Sequence, residues 1–133
     1  MSEEAVASMA TLNADAGRAA VAAGIRAGTD VTGFGLLGHL HKLARASGVT
    51  AVIDSAAVPY LEGTRESLRE GFVSGGTRRN LDWVRPHLVA GVDEDELVLL
   101  ADAQTSGGLL VAGELPGHPV IGELVDALSL IHI

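Results

Sequence analysis

Residues 29–39 read TDVTGFGLLGH and introduce the clearest helical pattern of the chain. Over Phe34–Ala46, leucines and alanines recur at three- and four-residue intervals, which places apolar side chains on one helix face. Thr32 precedes this segment and can cap its first turn, while Gly48 follows it as a typical stop. We therefore predict a helix over Phe34–Ala46 and expect Leu40 to lie on its core face.

The rest of the chain mixes helical and strand patterns. We predict a frayed start over residues 1–9, helices over Thr11–Arg26 and Leu61–Glu70, a partly helical Arg78–His87, and strands over Val49–Asp54, Leu109–Ala112 and Val120–Val125. Gly28 is read as a helix stop, and loops are predicted over Asp30–Gly33, Phe72–Thr77, Gly91–Glu96 and Asp102–Gly108. Because helices and strands do not alternate strictly, the order favours an α+β fold with helices packed on a mixed β-sheet. A chain of 133 residues is suited to a single domain over residues 1–133.

Composition restricts the function classes. The net charge of −8 makes non-specific nucleic-acid binding a poor hypothesis, because such binding depends on Lys and Arg neutralising phosphates. The chain has no cysteine, so it cannot itself supply a disulfide, a Cys-ligated zinc site or a thiol nucleophile. No apolar run reaches the roughly 18 residues of a membrane span, and the N-terminus lacks a basic signal-peptide start. We expect a cytoplasmic protein with no nucleic-acid and no membrane partner.

The segment around Asp30 has two interpretations from the residues alone. Its carboxylate is a hard oxygen ligand of the kind Mg²⁺ prefers, but an Asp close to a helix start also serves as a cap. Thr32 and Gly33 can expose donors to a phosphate at the same helix start, or they can simply cap and tighten it. The residues by themselves leave both alternatives open.

Two further polar, glycine-rich segments are candidates for function. Gly75–Asn80 reads GGTRRN, in which Arg78 and Asn80 could hold phosphate oxygens or could lie on an ordinary surface turn. Asp102–Leu110 reads DAQTSGGLL, and its polar part could face a cleft or could satisfy buried backbone groups. The five histidines show no metal-binding spacing, and we assign no metal to them.

Taken together, in this order and spacing, the three segments resemble the C-terminal half of selenophosphate synthetases, over roughly residues 9–125. That family makes selenophosphate from selenide, ATP and water, with AMP and phosphate as the other products, and it belongs to the aminoimidazole ribonucleotide synthetase-like superfamily. The resemblance implies the α+β fold of that superfamily's C-terminal domain. It implies that Asp30 contributes to the Mg²⁺ site that holds ATP, and it favours phosphate-binding roles for Thr32, Gly33, Arg78 and Asn80.

The resemblance also implies what this chain does not carry. In the family, the reactive Cys or selenocysteine, the Gly-rich nucleotide loop and most metal-binding Asp residues lie in the N-terminal half, so we assign no catalytic residue here. We expect a fragment that is inactive alone, with ATP, selenide and the N-terminal domain as partners and a homodimer at full length. The alternatives are another ATP-using synthetase of the superfamily, and a non-catalytic docking or anion-binding module.

Three features depart from the family pattern. Ala103 stands where the family usually has Pro, which loosens the loop slightly but removes no chemical group. The helix expected after residues 110–113 is missing or very short. The tail Ser129–Ile133 matches no family element.

Overall fold

The computed structural model describes residues 3–10, 12–104, 107–126 and 130–133. The helices are α1 (Glu3–Ala10), α2 (Ala14–Ala22), α3 (Gly35–Ser47), α4 (Thr64–Arg69), α5 (Gly75–Val84) and α6 (Glu94–Leu100), with short 3-10 turns at Ser55–Ala57 and Arg85–His87. The strands are β1 (Gly28–Asp30), β2 (Thr50–Ile53), β3 (Leu88–Val89), β4 (Leu109–Val111), β5 (Gly122–Val125) and β6 (Ile131–His132). Within the described ranges, no helix has both the length and the apolar character needed to cross a membrane.

The strands form two sheets. The larger has the order β3-β6-β2-β5 and is mixed, because β5 runs antiparallel to β2 while β6 runs parallel to both β2 and β3. The smaller pairs β1 with β4 in antiparallel register, so that Asp30 lies opposite Leu109. Helices with a mixed sheet confirm the predicted α+β class.

Helix α3 organises the core. It contacts β2, α5 and α6, and its side chains Leu37, Leu40 and Ala44 are almost completely buried. The predicted core face is therefore confirmed, including Leu40 at 3% exposure. Gly48 ends the helix in the left-handed conformation, with φ of 68°, as the sequence predicted.

The predicted cap of α3 is wrong. Phe34 occupies the N-cap position, and no side chain caps the helix by a hydrogen bond. Thr32 instead accepts the Gly35 N–H through its backbone carbonyl at 3.0 Å, which closes a turn before the helix.

The N-terminal region differs from the prediction in two ways. Residues 3–10 form α1 rather than a frayed segment, and α2 covers only Ala14–Ala22 of the longer predicted helix, whose first residue Thr11 lies outside the described residues. Gly28–Asp30 forms β1 rather than a helix stop and connector. The hydrogen bonds that make it a strand come from β4, which is distant in sequence, so the local pattern could not predict them.

The last residues of two predicted loops are helical because of capping. Gly75 and Gly76 begin α5, where the Ser74 hydroxyl accepts the Thr77 N–H at 3.1 Å. In the acidic segment, Asp93 accepts the Glu96 N–H at 2.9 Å and the carboxylates of the first turn favour the helix N-terminus, so Glu94–Leu100 forms α6.

The C-terminal region agrees with the noted departure from the family pattern. No helix lies between β4 and β5, a connection that the structure describes completely. Of the unplaced tail, residue 129 lies outside the described residues, but Ile131–His132 forms β6 between β3 and β2, and Ile131 is fully buried.

Candidate functional site

The first and third glycine-rich segments are joined along their backbones. The Val31 N–H donates to the Gly108 carbonyl at 2.8 Å, and the Gly107 N–H donates to the Val31 carbonyl at 2.9 Å. The Gln104 N–H donates to the Thr32 carbonyl at 3.0 Å. These bonds continue the pairing of β1 with β4 and bring both segments to the start of α3.

The second segment reaches the same place through Asn80. This side chain is buried on α5, and its Nδ2 donates to the Gly33 carbonyl at 2.8 Å and to the Ala101 carbonyl at 3.1 Å. One amide group therefore holds the first segment against the end of α6. The predicted phosphate contact of Asn80 stays a prediction, and what the structure shows is a side chain that positions Gly33.

Thr77 forms a second connection between segments. Its hydroxyl is fully buried, donates to Asp102 Oδ1 at 2.6 Å and accepts the Ala103 N–H at 3.1 Å. Gln104 Nε2 approaches the other oxygen of Asp102 at 3.3 Å. Asp102 thus orients the polar part of the third segment. Residues 105 and 106 of that segment lie outside the described residues.

Gly35 allows the backbones to approach closely. It has φ of 70°, and a Cβ built there would lie 2.5 Å from the Ala101 carbonyl oxygen and 2.7 Å from that of Asp102. These are backbone atoms that no rotamer change can move. The start of α3 can therefore sit on the end of α6 only with glycine at this position.

Asp30 lies at the exposed end of β1. Its Oδ1 accepts a hydrogen bond from Asn13 Nδ2 at 3.0 Å, and its Oδ2 has no hydrogen-bond partner among the described residues. Asn13 also approaches the Gly107 carbonyl at 3.3 Å, so this amide fixes the carboxylate beside the third segment. Asp30 does not cap α3, which leaves its free oxygen available to a ligand.

The described residues offer Mg²⁺ few protein ligands. Across the described residues, no group of three or more His, Cys, Asp or Glu side chains could hold a metal ion. Mg²⁺ is often held by one or two carboxylates, with phosphate oxygens and waters completing its six ligands. The exposed, oriented Asp30 oxygen fits one such position, so Asp30 could hold Mg²⁺ only together with groups from outside this chain's described part.

The segment Thr32–Gly33 presents two hydrogen-bonding groups near Asp30. The Thr32 hydroxyl lies 3.1 Å from His39 Nε2, and the Gly33 N–H has no hydrogen-bond partner among the described residues. Gly33 is exposed. A hydroxyl and a free N–H can bind an anion. A cation can then bridge that anion and a carboxylate nearby.

Arg78 is not brought into this cluster by a direct contact. It is exposed on α5, and its side chain forms no hydrogen bond or ion pair with the described residues. It follows Thr77 by one position and lies on a different helix face from Asn80. Its predicted role in phosphate binding stays a prediction.

The site borders a groove. Asp102, Gln104 and Gly107 line a concavity of about 1020 Å³ between β4 and β5. The third segment therefore lies at the edge of this groove and bonds to the first segment through its backbone. That it faces an active-site cleft stays a prediction.

Most of the chain, including this arrangement, matches a known protein family. Residues 2–114 match the family described as AIR synthase related protein, C-terminal domain, and this range contains all three segments. The chain belongs to the AIR synthase related family, through its C-terminal domain. The superfamily resemblance drawn from the sequence is thereby confirmed.

Several individual proteins similar to this chain share one name. The chain is 52% identical over 110 residues to a protein of Bordetella bronchiseptica named selenide, water dikinase, which covers 83% of the chain and 32% of the relative. It is 51% identical over 127 residues to the protein of that name from Pseudomonas putida, covering 92% of the chain and 37% of the relative. A third, from Caldanaerobacter subterraneus, is 43% identical over 109 residues. The chain thus spans about a third of the length of these relatives.

Sequence reasoning missed two residues of this AIR synthase related domain. Thr77 was predicted to lie in a loop, and its buried bond to Asp102 depends on α5 being helical. His39 has no metal-ligand spacing, so the sequence predicts no role for it. Its Nε2 nevertheless lies 3.1 Å from the hydroxyl of Thr32. The spacing of a His seven positions after the Thr was the available signal.

The surroundings of His39 favour its neutral form. Burial lowers the pKa of His39, the nearby Lys42 ammonium lowers it further, and the Asp30 carboxylate acts in the opposite direction. The ring is tilted against Phe34, with 5.5 Å between centroids. At neutral pH, His39 therefore presents an imidazole with a single N–H to the site.

Proposed function

We propose that this chain is the C-terminal part of an ATP-dependent enzyme that makes selenophosphate from selenide, ATP and water, and that it contributes part of the Mg²⁺–ATP site. The observation that carries the proposal is that Asp30 stands exposed, with a free oxygen, where the first segment pairs with the strand that follows the third. The names of the similar proteins support the reaction, since each is called selenide, water dikinase.

Each group of the site has a definite part in this proposal. Bound Mg²⁺ would neutralise phosphate charge, and Asp30 would supply one of its oxygen ligands. The Thr32 hydroxyl and the Gly33 N–H would donate hydrogen bonds to phosphate oxygens, with Arg78 as a cationic contact in the first turn of α5. Asn80 would act through Gly33, whose carbonyl it holds. Catalysis of phosphoryl transfer depends largely on such positioning and charge stabilisation.

The remaining groups would come from outside this chain. It contains no cysteine, so a thiol nucleophile must belong to another part of the enzyme. We propose the N-terminal portion of the longer enzyme as the partner that completes the ATP and selenide sites, a homodimer as the full-length assembly, and the cytoplasm, where ATP is available, as its location.

The decisive experiment exchanges one carboxylate. The Bordetella bronchiseptica relative, with its C-terminal third replaced by this chain, provides a complete enzyme in which selenide-dependent formation of AMP is measured at saturating Mg²⁺. Asp30→Asn should lower turnover at least tenfold, because it removes the ligand charge but little volume. Its thermal midpoint should stay close to that of the parent, since the amide can still bond to Asn13.

Asp82→Asn is the matched control. Asp82 is an exposed carboxylate on α5, on the face away from Asn80, and its loss should leave turnover unchanged. The 133-residue chain alone should form no AMP with selenide. Parent-like turnover of Asp30→Asn, or steady AMP formation by the isolated chain, would contradict the proposal.

Family membership favours a second candidate, another ATP-using synthetase of the same superfamily. The same chimera separates the two, because ATP consumption that does not depend on selenide favours the second. Anion binding by the isolated chain, with no contribution to turnover in the chimera, would instead indicate a docking or anion-binding module.

A further inference from the structure

We propose that His39 is a positioning residue of the phosphate site: its Nε2–H donates to Thr32 Oγ1, which leaves the Thr32 hydroxyl proton free to donate to a phosphate oxygen. The inference rests on the proposed function and deepens it, since it adds a residue that orients one of the proposed phosphate-binding groups.

Neighbouring side chains fix the contact between His39 and Thr32. His39 Nε2 lies 3.1 Å from Thr32 Oγ1, and the His39 ring packs against Phe34. The Phe34 ring is itself covered by the Lys42 ammonium, 3.8 Å from the ring centroid. The imidazole is thus fixed in orientation by its own helix, and its Nε2 faces the loop before that helix.

The Thr32 backbone is equally constrained. Its carbonyl accepts the Gly35 N–H and the Gln104 N–H, each at 3.0 Å. The next residue, Gly33, is held through its own carbonyl by Asn80. The hydroxyl of Thr32 and the N–H of Gly33 therefore belong to a loop that is anchored by three hydrogen bonds and follows Asp30 by two and three positions.

The direction of the hydrogen bond decides what the site can bind. A threonine hydroxyl has one proton and two lone pairs. If that proton is donated to His39, the hydroxyl can only accept from a ligand, and an ionised phosphate oxygen has no proton to offer. If His39 donates, the proton is free for the phosphate. An acceptor-only ligand therefore requires the Nε2–H tautomer of His39.

Nitrogen-15 NMR of the 133-residue chain tests the tautomer without ATP or metal. Two-bond correlations from the His39 ring protons distinguish a protonated Nε2 from an acceptor Nε2. We expect protonated Nε2 and unprotonated Nδ1 at pH 7.5. The reverse tautomer would overturn the proposal.

A double-mutant cycle in the chimeric enzyme tests the consequence. Thr32→Val should lower kcat/KM for ATP about tenfold, the factor expected for one hydrogen bond to a charged group. His39→Leu should lower it by a smaller factor, because the hydroxyl keeps its proton but loses the contact that orients it. The double variant should be no worse than Thr32→Val, because His39 acts only through that hydroxyl. His39→Gln should retain most of the activity, since its amide can donate to Thr32. A purely structural His39 would give multiplied losses and no rescue by Gln, which would overturn the proposal.

A control variant is available, and the failure of this inference can be distinguished from failure of the proposed function. His132 is an exposed histidine on β6, so His132→Leu should leave kcat/KM unchanged. Parent-like Asp30→Asn would defeat the proposed function as a whole. If Asp30→Asn is inactive but His39→Leu is parent-like, only the inference about His39 fails.

Discussion

Replacing Gly35 by alanine should weaken the domain more than replacing Gly48, which has nearly the same φ. A residue with a Cβ at φ of 70° costs about 1–2 kcal/mol in the left-handed region. The new Cβ would also lie 2.5 Å from the Ala101 carbonyl oxygen and 2.7 Å from that of Asp102. Overpacking of this kind costs about 1–3 kcal/mol, so the free energy of unfolding should fall by about 2–5 kcal/mol.

Gly48 provides the control. It has φ of 68°, almost the same as Gly35, but a Cβ built on Gly48 meets nothing within 4 Å. Gly48→Ala therefore carries only the backbone cost of about 1–2 kcal/mol. The difference between the two variants measures the close approach of α3 to the end of α6.

Urea unfolding of the isolated chain, followed by circular dichroism, gives both free energies. Gly35→Ala should be the less stable by about 1–3 kcal/mol at equal m-values. It should also raise amide hydrogen exchange at Gln104 and Gly107, whose N–H groups bond to the first segment. Equal destabilisation in the two variants would refute the argument that this approach requires glycine.

Two further predictions concern the core. Leu40→Ala should lower the free energy of unfolding by about 2–5 kcal/mol, because Leu40 is buried in the main core, and an unchanged thermal midpoint would contradict that. His41 is buried with neither ring nitrogen hydrogen-bonded to a described residue, and its ring stacks on His87 at 4.1 Å between centroids. Burial first, then His87 and Arg45, lower the pKa of His41, so the unfolded chain binds a proton that the folded chain does not. Stability should be complete above about pH 6.5 and fall as the pH drops from there toward the folded pKa, by at most about 1.4 kcal/mol per pH unit for this group. His41→Phe should reduce that slope below about pH 6.5, and an identical slope in parent and variant would refute the assignment.

Local patterns account for what the sequence predicted well. The apolar spacing of α3, its end at Gly48 and the strand around Val52 depend on neighbouring residues, and the structure confirms all three. The α+β class and the AIR synthase related family were likewise accessible, the latter because three segments occur in a specific order.

Capping explains two of the local errors. Gly75 and Gly76 have poor helix propensity, and the acidic run before Leu97 resembles a solvated loop. Ser74 and Asp93 each satisfy a free N–H at a helix start, which is enough to begin α5 and α6 when the following apolar residues are buried. Both caps are present in the sequence, so these two helix starts are encoded locally despite the composition around them.

The sequence by itself determined the residue types of the candidate site and the helix that follows it. Only the tertiary structure decided how those residues are used. Asn80 donates to the Gly33 carbonyl, which lies 47 positions earlier in the sequence. Asp30 lies in a strand because β1 pairs with β4, where Asp30 is opposite Leu109. Periodicity and capping act over a few residues, whereas a hydrogen bond between distant segments forms only after the core has brought their backbones together. The roles of Asn80, Thr77 and His39 therefore became visible only in the folded molecule.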